Sequence, residues 1–327
     1  CPICNSSKIE TLNYGKKTGA TVGFVGGAAS GAAGAMSGAR LGAAVGMVGG
    51  PVGVGIGSIA GALLGGLLGG TAGGVAGAKL AYTYLDSNPD KNIPKLMKWA
   101  DRFCGENTMK SQRDAVRKVI EDKDNNWYKL ILSLWEDIDP SVRRTTFSNF
   151  MLNANFIGWP LQEANRARYG CNVPWAILMD PTSACNLKCT GCWAAEYGSR
   201  LSMSFETLDS IIEQGKKLGV YFYIYSGGEP LVRKRDIIRL CEKHSDCEFL
   251  SFTNGTLIDE EFADEMLRVK NFVPAISIEG FEEATDSRRG EGTYQAVIRA
   301  MEILKRKKLI FGASLCYTKY NTEVIGS

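Results

Sequence analysis

Three cysteines have the spacing in this chain that most clearly indicates chemistry. Cys185, Cys189 and Cys192 follow the pattern C-x3-C-x2-C, which places three thiolates on one short loop. Three thiolates so close together can hold three irons of one [4Fe–4S] cluster, whereas an electron-transfer cluster uses four protein thiolates. The next cysteine along the chain is Cys241, so the fourth iron would keep an open coordination position. An open position is where a metal site does chemistry rather than structural work.

A zinc knuckle and a group of packed thiols are the alternative interpretations of these cysteines. Zinc needs four Cys or His ligands, and the single histidine of the chain, His244, is distant in the sequence. A disulfide framework is disfavoured, because three neighbouring cysteines cannot all pair among themselves and nothing marks the region as secreted.

The cysteine triplet resembles the cluster-binding loop of the radical S-adenosylmethionine (SAM) superfamily, in which the fourth iron binds the amino and carboxylate groups of SAM. A second motif of that family is also present, formed by Gly227, Gly228, Glu229 and Pro230. Glycines let a ligand approach the backbone, and a fixed carboxylate can receive an ammonium group. The resemblance implies that this motif binds the SAM amino group, although a tight turn before a helix also explains the glycines and the proline.

Further candidate SAM contacts follow two predicted strands. Short polar side chains at strand ends can bond a ribose or a carboxylate, and the resemblance implies that role, whereas ordinary turn chemistry is the alternative. These candidates are Ser251, Thr253, Asn254, Ser277 and Glu279.

Two more side chains are candidates through the same resemblance. The family often has an aromatic residue just before the third cysteine, where this chain has glycine, so we expect Trp193 or the backbone to contact adenine. Arg288 begins an Arg-Arg-Gly stretch that is similar to one in SPASM-type members. Either Arg288 or Arg289 can bind a carboxylate through two hydrogen bonds, or can simply face solvent.

Apolar runs typical of strands alternate with helical patterns from Val173 onward, which indicates βα units and a parallel sheet. Active groups in such folds collect beyond the carboxyl ends of the strands. We predict strands over 175–179, 221–225, 249–253, 272–278 and 309–317, and helices over 205–218, 232–244, 259–269 and 294–307. The predicted fold class is therefore α/β, a partial radical SAM (βα)6 barrel over residues 173–327. Five βα units are present where a complete core has six, so we expect a fragment that is cut at its C-terminus.

Two distinctive regions precede a predicted helical segment over residues 88–172. Residues 1–18 begin with Cys1 and Cys4, which form half of a zinc ribbon, so zinc binding and a vestigial site are both open. Residues 19–80 are rich in glycine, with glycines at every fourth position over 34–50 and 53–77.

A glycine at every fourth position forms a stripe along a helix that lets two backbones approach closely. Residues 19–80 thus resemble a glycine-zipper helical hairpin, and we expect this hairpin to associate with a membrane. Arg40 argues against a simple membrane span, because a charge at the bilayer centre is costly. A flexible linker is the alternative interpretation.

The charge and cysteine content narrow the functional classes. A net charge of +3 over 327 residues is too small to indicate a nucleic-acid-binding surface. Ten cysteines, three of them in a ligand motif, indicate a reducing compartment, most simply the cytoplasm.

The resemblance implies a radical SAM enzyme. Its reduced cluster would cleave SAM to a 5′-deoxyadenosyl radical that attacks a small-molecule or peptide substrate. The implied partners are SAM, that substrate, and an electron donor such as flavodoxin or ferredoxin. Two alternatives stay open. One is a membrane-associated, self-associating glycine-zipper module with a degenerate barrel. The other is a SPASM-type peptide maturase.

Overall fold

The computed structural model describes residues 71–103, 110–316, 318 and 321–322. Cys1 and Cys4 lie outside the described residues, as do residues 19–70 of the glycine-rich segment, so the zinc and hairpin predictions concern a part of the chain that is not described. Within the described ranges, every helix falls short of the length and apolar character that crossing a bilayer requires.

A helical region precedes the sheet. Its elements are α1 (Thr71–Ser87), α2 (Pro89–Phe103), α3 (Lys110–Glu121), α4 (Asn126–Glu136), α5 (Pro140–Thr146), a π-helix (Phe147–Ile157) and α6 (Gly158–Tyr169). Helix α1 continues without a break across residue 80, where we placed the end of the glycine-rich segment.

Five parallel strands form one sheet in the order β1-β2-β3-β4-β5. The strands are β1 (Ala176–Met179), β2 (Phe222–Tyr225), β3 (Glu248–Thr253), β4 (Phe272–Ile278) and β5 (Gly312–Leu315). The helices between them are α7 (Phe205–Leu218), α8 (Lys234–Lys243), α9 (Glu260–Val269), α10 (Glu282–Arg289) and α11 (Thr293–Arg306), with short 3-10 turns at Trp193–Tyr197 and Pro230–Arg233. The predicted α/β fold with five βα units is confirmed. Helix α10 was not predicted.

The sequential strand order decides which face of the sheet is covered. Parallel neighbours joined by crossovers of the same hand place all their helices on one side. The core lies on that side and contains Tyr223, Tyr225 and Phe249, each 0% exposed. Side chains that alternate with these point to the opposite face, where Leu178 is 57% exposed and Phe252 is 40% exposed. This opposite face corresponds to the interior of a partial barrel.

The π-helix and α6 pack against the amino ends of β2 and β3. Asn149 Nδ2 donates to the carbonyl of Cys247 at 2.9 Å, and Gln162 Nε2 donates to the carbonyl of Gly219 at 2.7 Å. Phe150 meets Phe222 edge-on, with ring centroids 5.1 Å apart. The amino end of the sheet is therefore closed by helices, and the carboxyl end is left open.

Glu248 is a charged residue buried at this closed end. It is 2% exposed, and among the described residues neither carboxylate oxygen has a hydrogen-bond partner of normal geometry. Burial raises the pKa of Glu248 to about 8, and the neighbouring Thr146 and Asn149 offset this only in part. The carboxyl group is therefore largely protonated at neutral pH.

We expect Glu248→Gln to make stability less sensitive to pH. The folded-state pKa is raised, so folding opposes ionisation, and the wild-type chain loses stability as pH rises from about 4.5 to about 8. Glutamine does not titrate, so the stability of the variant relative to wild type should rise by roughly 4 kcal/mol over this window. Urea unfolding at pH 5, 7 and 8.5 measures the difference, with the exposed Glu291→Gln as control. A difference between variant and wild type that does not change with pH would contradict the assignment.

Candidate functional site

A cavity of about 160 Å³ opens at the carboxyl end of the strands. Its lining combines the cysteine loop, the glycine motif after β2, the ends of β3 and β4, and the end of α10. The lining residues are Cys185, Cys189, Cys192, Trp193, Ser226, Gly227, Gly228, Glu229, Phe252, Thr253, Asn254, Ser277, Arg288 and Arg289. Eleven of the fourteen predicted site residues are in this set.

The three cysteines surround one side of the cavity. Cys185 is exposed, and Cys189 and Cys192 are half-buried. Desolvation by the surrounding protein raises the pKa of the Cys189 thiol and, although Cys185 is exposed as a residue, that of the Cys185 thiol; for Cys189 the positive charge of Arg289 opposes this. These thiols become thiolates only when a metal or a nearby cation stabilises the charged form.

The separation of the thiols tests which metal group they fit. Within the described ranges, the ligand atoms that all lie within 4.8 Å of one another belong to Asp209, Glu213 and His244, so at least two of the three cysteine sulfurs are farther apart than 4.8 Å. Tetrahedral zinc, with Zn–S bonds near 2.3 Å, would hold its sulfurs about 3.8 Å apart. The separation of at least one pair of sulfurs is thus wider than a zinc knuckle holds, and it is compatible with ligands placed around a larger iron–sulfur cluster.

The segment that leads into the cysteine loop is held by the glycine motif. Gly228 N donates to the carbonyl of Thr182 at 2.9 Å, and Glu229 N donates to that of Ala184 at 2.8 Å. A Cβ at Gly228 would lie 2.5 Å from the carbonyl oxygen of Ser183 and closer still to that of Ala184. The glycine is therefore required because two backbones meet here, which differs from the ligand approach that we expected from the sequence.

Gly227 is required for two reasons. Its φ of +104° is unfavourable for any residue with a side chain. A Cβ there would also lie 2.8 Å from the carbonyl oxygen of Thr182 and 3.0 Å from Asp180 Cβ.

Glu229 joins the ends of β2 and β3. One carboxylate oxygen accepts hydrogen bonds from Leu231 N at 2.9 Å and Thr253 Oγ1 at 2.7 Å, and the other accepts one from Asn254 N at 2.7 Å. Glu229 is 1% exposed, and burial raises its pKa while these three donors oppose the rise. A carboxylate has about four acceptor positions. Three are filled by the protein, so one remains for an ammonium group.

Asn254 ties the cysteine loop to the end of β3. Its Nδ2 donates to Asn186 Oδ1 at 2.9 Å and lies 3.9 Å from Cys185 Sγ. Asn186 in turn donates to Thr256 Oγ1 at 2.8 Å. Asn254 therefore positions the first cysteine as well as lining the cavity.

Arg288 and Arg289 reach the cavity from the end of α10, and both bind the buried carboxylate of Glu279. Arg289 donates through Nε at 2.8 Å and Nη2 at 2.6 Å, and Arg288 donates through Nη1 to the same oxygen. The side chain of Glu279 is 1% exposed, whereas those of Arg288 and Arg289 are 21% and 11% exposed.

Three predicted residues do not line the cavity. Ser251 points to the same face of β3 as Phe249, the face that packs against the helices, and it is 0% exposed. Pro230 is buried as the first residue of a 3-10 turn. Glu279 lies behind the two arginines, so they, and not Glu279, face the cavity.

Two lining residues, Ser226 and Phe252, were not among the predicted sites, and a third, Arg289, was named only as an alternative to Arg288. Strand alternation could have identified Phe252, because it points away from the buried neighbours Ser251 and Thr253. Ser226 directly precedes the glycine motif. No feature of the sequence distinguished Arg289 from Arg288 as a candidate for the site.

Comparison with known proteins gives one matching family. The sequence model of the Radical SAM superfamily matches residues 179–322, the stretch that contains all five strands except the first residues of β1. Every cavity-lining residue falls within this range.

Individual relatives each match less than half of the chain. Fe-coproporphyrin III synthase of Methanosarcina barkeri is 30% identical over 46% of this chain and 38% of that protein. The cysteine-type anaerobic sulfatase-maturating enzyme of Clostridium perfringens is 30% identical over 46% of this chain and 45% of that protein. The solved structure of native anSMEcpe with bound AdoMet is 30% identical over 42% of each chain, with a TM-score of 0.38. The chain therefore spans less than half the length of these relatives.

Proposed function

We propose, from the match of residues 179–322 to the Radical SAM superfamily model, that the chain is a radical SAM enzyme that binds a [4Fe–4S] cluster through Cys185, Cys189 and Cys192. SAM would occupy the adjoining cavity. The observation that carries the proposal is that the cysteine loop, the glycine motif and the arginine pair all line one cavity at the open end of the sheet.

The chemistry of this site is divided between cofactor and protein. When bound, the cluster and SAM supply a one-electron reductive cleavage of SAM that begins radical chemistry. The protein fixes the three thiolates through the hydrogen bonds of Ala184, Asn186 and Thr190, which hold the loop at three places. It also excludes water from most of Glu229 and Arg289.

Complementary charges support SAM as the ligand. SAM has an ammonium and a carboxylate group on its methionine part. Glu229 has one acceptor position left for an ammonium, and Arg288 and Arg289 have guanidinium N–H groups beyond those that bind Glu279. Trp193 is 55% exposed at the cavity and offers a face for the adenine ring. Thr253, Asn254 and Ser277 offer further polar groups at the strand ends.

Reductive cleavage of SAM tests the proposal. The anaerobically reconstituted chain, with dithionite and SAM, should form 5′-deoxyadenosine, which chromatography detects. The same protein with Asp209→Asn, a residue that does not line the cavity, should keep the activity, and a chain without iron should have none. A preparation with about four irons per chain that forms no 5′-deoxyadenosine would overturn the proposal.

The substrate and the electron donor are finer parts of the proposal. The named relatives point to different substrates, a porphyrin in one name and a sulfatase in the other, so a small molecule and a peptide are both candidates. Peptide maturation of the SPASM type is supported by the second relative. Reduced flavodoxin or ferredoxin would supply the electron, and a reducing cytoplasm would keep the thiols available. Membrane association through residues 19–80 stays a prediction.

A further inference from the structure

Glu279 has a hydrogen-bonding arrangement that a ligand-binding carboxylate would not need. One oxygen accepts three N–H groups from Arg288 and Arg289, and the other is buried without a partner among the described residues. Its backbone carbonyl is also held, by Asn321 Nδ2 at 3.1 Å. Both the carboxylate and its main chain are therefore fixed at the end of β4.

The two guanidinium groups carry one more positive charge than this carboxylate neutralises. Arg288 and Arg289 line the same cavity as the three cysteines. Arg289 is also near enough to Glu229 for its charge to oppose the rise in the pKa of that carboxyl group. The guanidinium group of Arg289, whose side chain is 11% exposed, therefore lies at the same cavity as the second cysteine and is largely shielded from water.

The same helix end is attached to the loop through its backbone. Thr190 N, one residue after Cys189, donates to the carbonyl of Arg288 at 2.8 Å. The arginines and the cysteine loop consequently move together, and the distance from Arg289 to Cys189 depends on Glu279.

We propose that Glu279 is a positioning residue that holds Arg288 and Arg289 against the cysteine loop, so that the charge of Arg289 raises the reduction potential of the cluster bound there. The inference rests on the proposed function, because it requires the cluster. Its physical reason is that reduction adds a negative charge to the cluster, and a nearby cation that is poorly screened by water stabilises the reduced form more than the oxidised form.

Redox titration of the reconstituted chain without SAM, followed by the electron paramagnetic resonance (EPR) signal of the reduced cluster, tests the charge of Arg289. Arg289→Gln should shift the midpoint potential to a more negative value. Arg289→Lys keeps the charge and should stay near wild type. Arg235→Gln removes the same charge from an exposed position on α8 and should leave the potential unchanged. Equal potentials for Arg289→Gln and wild type would overturn the inference, and so would equal shifts for the Gln and Lys variants.

The direction in which Glu279→Gln shifts the midpoint potential tests the positioning role. If Glu279 holds the arginines in place, the variant releases them from the loop and the potential becomes more negative. If Glu279 acts only through its own negative charge, removing it makes the potential more positive. A positive shift or no shift overturns the positioning role.

The iron content separates this inference from the proposed function. A wild-type chain that takes up no iron overturns the proposed function, and this inference with it. If the wild-type chain takes up a complete cluster, and wild type and Arg289→Gln have the same midpoint potential, the inference alone is overturned.

Discussion

Cys189→Ala is expected to abolish assembly of the iron–sulfur cluster. Three thiolates would hold three irons of the cluster, so a chain with only two of these cysteines can no longer retain it. The iron content should fall from about four per chain to below about one. The loss of broad absorption in the visible region should accompany it. Cys185→Ala and Cys192→Ala should behave in the same way, because all three cysteines line the cavity. Iron analysis after anaerobic reconstitution gives the measurement.

Two other cysteines are matched controls for this experiment. Cys171 is exposed and Cys241 is buried, and neither lines the cavity. Cys171→Ala and Cys241→Ala should each retain the cluster. Equal loss from Cys241→Ala would reveal a fourth protein ligand and would contradict the open iron.

Gly228→Ala is expected to disrupt the same site without removing any ligand. The added methyl group would lie 2.5 Å from the carbonyl oxygen of Ser183, and closer still to that of Ala184, so the two backbones must separate. Overpacking of this kind costs about 1–3 kcal/mol of folding free energy. Here the segment that must move is the one that leads directly into Cys185. We expect a loss of SAM affinity of roughly 5- to 100-fold, since each 1.4 kcal/mol is about a factor of ten, together with a lower iron content.

Gly312→Ala is the control for this change. Gly312 is exposed on β5, and nothing lies within 4 Å of a Cβ built there. Iron content and SAM affinity, the latter from calorimetric titration under anaerobic conditions, should stay near wild type. If Gly228→Ala also matched wild type, the close packing of the two loops would not be needed for the site.

The elements that local sequence patterns specify were predicted well. The five strands and α7, α8, α9 and α11 follow from runs of apolar residues and helical spacing, and their positions agree with the structure to within a few residues. Helix α10 was missed because its sequence is largely polar and offers no apolar stripe. Its position mattered, since it ends with Arg288 and Arg289.

The contacts that complete the site depend on packing between distant segments. Glu229 is held by Asn254, 25 residues away, and the sequence does not indicate whether its carboxylate faces the protein or a ligand. Gly228 was assigned to ligand approach, but the neighbouring backbone fills the space where its side chain would be. Residue types at strand ends identify candidates, and only the register of the strands decides between Phe252 and Ser251.

The most direct test of the central claim is to titrate the dithionite-reduced, reconstituted chain with SAM and record the EPR spectrum of the cluster. In the proposed site, the three cysteine ligands would leave one iron free to bind SAM. The spectrum should therefore change with added SAM and stop changing at about one SAM per chain, as a single open iron requires. A cluster with about four irons and a spectrum that SAM leaves unchanged would contradict the claim.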